Sequence, residues 1–185
     1  MTVQAGTHIL IRGTSGSGKS TFLRALAGIW QFAKGKVTLA PQVRLMFIPQ
    51  RPYLPLGTLR EAIVYPGTRQ ISDDRIRALM EDCRIGYLAN HLDEEADWTH
   101  VFSVGEQQRL AFVRALIYEP AWLFMDESTS ALDEETEKAM YELLLSRLAR
   151  TTLISVGHRS TLVTYHTAAL TLHKETKEAF LEPLP

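Results

Sequence analysis

An α/β fold built on a mostly parallel sheet flanked by helices is predicted by three features of the sequence. Short apolar runs alternate with segments of helical periodicity. The first run, His8-Ile9-Leu10-Ile11, feeds a Gly/Ser-rich loop and then a helix. Trp122, Leu123, Phe124 and Met125 form an unbroken apolar run closed by the acidic pair Asp126-Glu127, as in strands covered on both faces. Strands alternating with helices require right-handed crossovers, and ligands of such folds gather at the strands' carboxyl ends. The length of 185 residues, with 45% apolar and 22% charged, suits one domain and excludes disordered, collagenous and coiled-coil chains.

The elements follow in order. After the strand at 8–11, Phe22, Leu23, Leu26 and Ala27 fall at helical spacing, and Gly28 is placed to stop that helix. Residues 37–39 and 43–48 are predicted strands, the second closed by Pro49. Ile76, Leu79, Met80 and Cys83 mark one face of a helix that Ser72 caps and Gly86 ends. Ser103 takes the N-cap position of a helix carrying Leu110, Val113, Ala115 and Leu116 and stopped by Pro120. After the 122–125 strand, Asp133 caps a helix with Glu134 and Glu135 in its first turn and Met140, Leu143 and Leu144 on its apolar face. Residues 153–156 and 168–172 supply the last strands, and no internal repeat or low-complexity segment interrupts the pattern.

Charge and composition narrow the function classes. Twenty basic residues against twenty-one acidic ones, scattered singly, provide no electrostatic footprint for nucleic acid, so no nucleic-acid partner is expected. Nothing approaches the roughly 18 uninterrupted apolar residues of a membrane span, and the first twelve residues contain no signal-peptide pattern. Cys83 is the single cysteine, which excludes an intramolecular disulfide and fits a reducing compartment.

Gly13-Thr14-Ser15-Gly16-Ser17-Gly18-Lys19-Ser20 matches G-x-x-x-x-G-K-[ST] between a strand and a helix, the context that a phosphate-binding loop requires. Glycines at 13, 16 and 18 let the backbone wrap an anion with its N–H groups inward, and the helix start near Lys19 adds the positive end of its dipole. Lys19 is expected to neutralise β/γ-phosphate charge, and the Ser20 hydroxyl to ligate Mg²⁺. Asp126 and Glu127 end a buried strand, where carboxylates are costly without cationic partners. Asp126 is assigned to the Mg²⁺ and Glu127 to the water that attacks the γ-phosphorus, with the chain expected to turn at Ser128-Thr129-Ser130. Ser103 and the backbone N–H groups near Gly105 form a second anion-binding nest at a helix start.

Phe102-Ser103-Val104-Gly105-Glu106-Gln107-Gln108-Arg109 resembles the signature of the ABC ATPases, written L-S-G-G-Q/E-Q-Q-R. Gln50 after a strand, Ser130-Ala131-Leu132-Asp133 after the acidic pair and His158 after a buried strand complete the order of an ABC cassette over residues 13 to 158. The resemblance implies a P-loop NTPase of ABC type over 1–185, with a small helical subdomain at about 51–118. It implies ATP contacts from Gly13, Thr14, Ser15, Gly16, Ser17, Gly18, Lys19, Ser20 and Thr21, and Mg²⁺ held by Ser20, Gln50 and Asp126. It implies catalysis by Glu127, His158 and Gln50, and contacts to the partner's ATP from Ser103, Gly105, Glu106 and Asp133 in a head-to-tail cassette dimer. His8, His91, His100, His166 and His173 lie outside these motifs and are read as incidental.

The stretch from Pro49 to Ala62, Tyr65-Pro66, and Ser155-Val156-Gly157-His158-Arg159-Ser160 are similar to the subfamily D cassettes, the peroxisomal fatty acyl-CoA transporters and their bacterial relatives. That likeness implies an ATP-hydrolysing cassette on the cytoplasmic face of a membrane, powering translocation through a transmembrane domain. Two departures stand out: Val104 replaces the first signature glycine, and residues 1 to 12 lack the aromatic that stacks on adenine in such cassettes. The second implies a chain either cut from a longer one or naturally short, binding ATP weakly. It keeps two alternatives open: a cassette that binds nucleotide or a partner cassette without appreciable hydrolysis, and a soluble non-transport ABC ATPase.

Overall fold

The computed structural model describes residues 2–67, 70–176 and 178–184. In chain order its elements are strand β1 (His8–Arg12), helix α1 (Lys19–Leu26), β2 (Leu45–Ile48), β3 (Gly57–Thr58), α2 (Leu59–Val64), α3 (Asp73–Asp82), β4 (Glu95–Ala96), α4 (Trp98–Val101), α5 (Val104–Tyr118), β5 (Trp122–Asp126), α6 (Glu134–Arg147), β6 (Thr152–Val156), β7 (Ala168–Leu172) and β8 (Ala179–Pro183). Short 3-10 helices lie at Gly86–His91 and Ser160–Tyr165. Two compact units result. The first takes the chain up to Pro49, Pro120–Ser128 and the part from Ala149 onward; the second takes Gln50–Glu119 and Thr129–Leu148.

The first unit is the predicted mostly parallel α/β sheet, in the order β2-β5-β6-β1-β7-β8. The pairs from β2 to β7 are parallel, and β8 runs antiparallel to β7. Because β1, β5 and β6 point the same way, their carboxyl ends open on one edge. Ile9, Ile11, Phe124, Ile154, Val156 and Leu170 pack with Leu23 of α1, and Phe22 and Leu26 close over them. The i, i+3, i+4 spacing of Phe22, Leu23 and Leu26 sets this face, and burying each large apolar side chain contributes about 1.5–3 kcal/mol. Residues 37–39 form no strand. Val37 is 53% exposed, and ladder pairing begins only where the Arg44 carbonyl accepts from Ala121 and Trp122 N–H. The expected 43–48 strand is accordingly shortened to Leu45–Ile48, which the left-handed Gln42 precedes. β8 lacked a signal because its side chains are exposed along its whole length.

The second unit is mainly helical. α5 begins as the sequence predicts: Ser103 Oγ accepts from Glu106 N–H, and the Glu106 carboxylate accepts from Ser103 N–H in a reciprocal capping box. Thr58 and Glu61 build the same device on α2, and Asp133 caps α6 by accepting from Thr136 N–H at 2.7 Å. Ser72 sits at the N-cap position of α3 without a side-chain hydrogen bond. Nor does Gly86 end that helix. α3 stops at Asp82, and Arg84 takes the left-handed position of a Schellman motif, with Arg84 N–H donating to Glu81 and Ile85 N–H to Met80. Gly86 instead opens the 3-10 helix, where a Cβ would collide with the Glu81 carboxylate. The β3–β4 ladder pairs Gly57 with Ala96 and Thr58 with Glu95, too short for any periodicity to reveal.

Partial burial works against ionisation of Glu106, but hydrogen bonds from the Ser103 hydroxyl, Tyr87 and Ser103 N–H outweigh it and hold the carboxyl below its ordinary value of 4.5. A depressed folded pKa stabilises the fold above the ordinary value, and that contribution is lost as pH falls through the folded one. Ser103→Ala is therefore expected to cost about 1 kcal/mol at neutral pH and to flatten the acid side of a pH–stability profile measured by thermal melts. Phe124→Ala, at a site 1% exposed in the sheet core, is expected to cost about 3–5 kcal/mol, read as a fall in the urea midpoint.

Candidate functional site

In the first unit the loop from Gly13 to Ser20 joins β1 to α1. Gly13, Gly16 and Gly18 all hold positive φ. Gly13 cannot be replaced without movement, because a Cβ there would lie 2.6 Å from Ser17 Oγ and 2.7 Å from the Leu172 carbonyl. Gly18 occupies the N-cap of α1, which carries no side-chain cap and no acidic residue in its first turn, so its leading N–H groups point to an anion site. Lys19 is buried, and its Nζ donates to the Gly13 and Thr14 carbonyls at 2.9 and 3.1 Å, folding the ammonium into the loop. Thr14, Ser15, Gly16, Gly18 and Thr21 are exposed on the outer surface of the loop and of α1.

Ser20 Oγ donates to Asp126 Oδ1 at 2.6 Å, and Arg24 Nη2 reaches Asp126 Oδ2 at 3.0 Å. Asp126 is 4% exposed, so these two partners from successive turns of α1 offset its desolvation. Arg24 was missed as a partner; its i+4 spacing from Ser20, on the same helix face, carries the signal. Glu127 stands at φ 51 and donates its N–H to the Val156 carbonyl. The chain thus leaves the strand at Glu127 and continues into the expected turn at Ser128-Thr129-Ser130, and the two carboxylates escape strict strand alternation. Glu127 Oε1 lies 2.9 Å from His158 Nε2. Four predicted residues, Ser20, Asp126, Glu127 and His158, are thereby linked pairwise at the carboxyl ends of β1, β5 and β6.

Gln50, Ser103, Gly105, Glu106 and Asp133 belong to the second unit. Its hub is Gln108, fully buried on α5. Gln108 Nε2 donates to the Gln50 carbonyl at 2.9 Å and to Ser130 Oγ at 3.2 Å, while its Oε1 accepts from Ala131 N–H. Gln107 donates to the Thr99 and Phe102 carbonyls and holds the approach to Ser103. Gly105 lets α5 pass close to the loop before Asp133, a Cβ there lying 3.3 Å from the Ala131 carbonyl. Arg114, two turns on from Gln107, donates to the Ala62 and Tyr53 carbonyls, and burial pulls its pKa down to about 10. Sequence reading gave Gln107, Gln108 and Arg114 no roles, since a glutamine inside a motif and an arginine on an apolar helix face do not announce backbone partners.

Asp133 is held ionised by the Thr136 N–H and hydroxyl, its carboxyl lying below the usual value. Among the described residues no group of three or more His, Cys, Asp or Glu forms a self-sufficient metal cage. The hydroxyl and carboxylate of Ser20 and Asp126 are hard oxygen donors of the kind that suits Mg²⁺ completed by phosphate and water oxygens. No helix among the described residues is long and apolar enough to cross a membrane.

The model of the ABC transporter family matches residues 1–130. The chain is 45% identical over 173 residues to an uncharacterized ABC transporter ATP-binding protein of Haemophilus influenzae, covering 93% of this chain and 29% of the relative. It is 38% identical over 213 residues to the chloroplastic ABC transporter D family member 2 of Arabidopsis thaliana, covering 88% of this chain and 30% of that one. The structure of a bacterial Atm1-family ABC exporter with ATP bound superposes with a TM-score of 0.81 at 28% identity, over 93% of this chain and 33% of the exporter. The chain thus spans about three tenths of the length of these relatives. With the fold, the ordered motifs and these likenesses in agreement, the chain belongs to the ABC transporter family as an ATP-binding domain.

Proposed function

We propose that the chain binds and hydrolyses MgATP to power substrate translocation through a transmembrane domain, with the whole of 1–185 acting as the cassette and 51–118 as its small helical subdomain. The observation that carries this reading is the linked set Ser20, Asp126, Glu127 and His158 at one edge of a parallel sheet, beside a glycine-rich anion loop. The N–H groups of residues 13–21 and the Lys19 ammonium bind the phosphates. Ser20, Asp126 and Gln50 would hold Mg²⁺, which would supply positive charge against the triphosphate. Glu127 accepts a proton from the attacking water, and His158, already bonded to Glu127, orients the carboxylate and holds the γ-phosphate.

Ser103, Gly105, Glu106 and Asp133 serve the ATP of a second cassette packed head to tail. The uncapped N–H groups of one chain's loop and, in the other, the Val104 and Gly105 N–H groups that the α5 capping box does not use supply donors for one triphosphate, beside a Glu106 carboxylate taken up by its own capping bonds. Such a dimer works at the cytoplasmic face of a membrane, beneath the transmembrane domain it drives.

Glu127→Gln removes the proton acceptor and keeps the shape. It is expected to slow phosphate release by roughly 10²–10⁴-fold while ATP still binds. Unchanged hydrolysis in that variant would take Glu127 out of the mechanism.

A further inference from the structure

Tyr87 lies outside every motif, and its hydroxyl donates to Glu106 Oε1 at 2.5 Å. The 3-10 helix that carries it is fixed from below. Ile85, Ala89 and Leu92 are buried, the Ile85 N–H donates to the Met80 carbonyl at 2.8 Å, and Tyr87 faces outward at 58% exposure. So exposed a ring adds little to the core, and the hydroxyl contact is what this position supplies. Partial burial and the neighbouring carboxylate raise the phenol above its ordinary value of 10.0, so it stays a donor at neutral pH. Arg109 completes the frame: its Nη1 donates to the Arg84 carbonyl at 2.6 Å and its Nε to the Gly105 carbonyl at 3.3 Å, tying the start of α5 to the end of α3.

Glu106 is the third residue of α5, where a carboxylate is drawn to the leading N–H groups of the helix. Those groups, at Val104 and Gly105, are the donors that a phosphate needs. Carboxylate and phosphate are therefore rivals for one helix start. Glu106 Oε2 accepts from the Ser103 N–H and hydroxyl at 2.8 and 2.6 Å, and among the described residues Tyr87 alone donates to Oε1. A Ser103 hydroxyl that turns to a phosphate takes away one of the three bonds on this carboxylate, and the Ser103 N–H and Tyr87 are the two that remain.

Resting on the reading of Ser103 and Gly105 as contacts to a second cassette's ATP, we propose that Tyr87 is a positioning residue of that site: its hydroxyl holds the Glu106 carboxylate aside, leaving the Ser103 hydroxyl and the Val104 and Gly105 N–H groups open to the triphosphate. No proton changes owner. The Ser103 hydroxyl rotates from one acceptor to another, and Tyr87 keeps the carboxylate hydrogen-bonded while it does so.

The test is steady-state phosphate release by the 185-residue chain against ATP concentration, at chain concentrations where specific activity no longer rises. Tyr87→Phe, which keeps the ring and removes the hydroxyl, is expected to raise the half-saturating ATP concentration roughly three- to tenfold with kcat changed less than about twofold, and Tyr87→Glu to raise it further. In a Glu106→Gln background the same Tyr87→Phe change is expected to shift half-saturation by less than about twofold, since the competing charge is gone. Circular dichroism matching the parent confirms that each variant is folded. A part confined to stabilising the helix cap would move the thermal midpoint equally in both backgrounds and leave half-saturation alone, which would overturn the proposal. An equal rise in half-saturation in both backgrounds, or a fall in kcat alone, would overturn it too. Wild-type kinetics in Tyr87→Phe, with Glu127→Gln inactive, removes Tyr87 from the site and leaves the ATPase reading standing. A parent chain that releases no phosphate at any chain concentration overturns that reading and this proposal with it.

Discussion

The hydrogen bond from Ser20 to Asp126, 2.6 Å long, is the contact on which the first unit is organised. A carboxylate at the end of a buried strand must be partnered, and both partners come from α1: the Ser20 hydroxyl and, one turn later, the Arg24 guanidinium. Those two bonds set the rotation of α1 about its axis. With Ser20 and Arg24 turned toward β5, Leu23 meets the sheet core, with Phe22 and Leu26 closing over it, and the helix N-terminus is left at the sheet's carboxyl edge. The loop before α1 has then to cover the distance from β1 with almost no room to spare, which is why a side chain at Gly13 would strike Ser17 and the Leu172 carbonyl. The polar pair and the apolar packing thus require the same helix orientation, and that agreement makes the loop geometry a consequence of the core.

In the second unit the organising side chains are amides and a guanidinium that reach backbone. Gln108 ties the backbone after β2 to the loop that ends in Asp133, and Arg114 ties the segment at Tyr53 and Ala62 to the same helix. Loops have no ladder of their own, so buried polar side chains that satisfy their carbonyls are what give them a single conformation. α5 therefore presents Ser103 and Gly105 at its start and fixes the segments bearing Gln50 and Asp133 along its length. A substitution inside this helix acts on three motifs at once.

Much of this was legible in the sequence wherever the signal was local. A capping box needs only Ser103 and Glu106 three residues apart, an N-cap needs only Asp133, and a buried parallel strand shows as the unbroken run from Trp122. Failures came where a tertiary partner decided. Residues 37–39 have strand-forming composition and no strand to pair with, and two-residue ladders such as β3–β4 exist only because two distant segments meet. The end of α3 reversed a local rule: Arg84 took the left-handed position that a glycine usually fills, since Gly86 was needed where Glu81 approaches too closely for a Cβ.

What the sequence by itself determined is the alternating α/β order, the phosphate-binding loop with its flanking strand and helix, and the identity of the polar residues at strand ends. Each of these follows from spacing along the chain, which periodicity and motif record directly. What only the tertiary structure decided is which of those residues touch. Asp126 is partnered by Arg24 as well as Ser20, Glu127 swings out of strand alternation to reach His158, Gln108 gathers loops 58 and 22 residues away, and Tyr87 meets Glu106 from 19 residues away. The reason is physical. Such contacts depend on how a sheet orders its strands and on which carbonyls and charges burial leaves to be satisfied, and neither quantity is written in any one stretch of sequence.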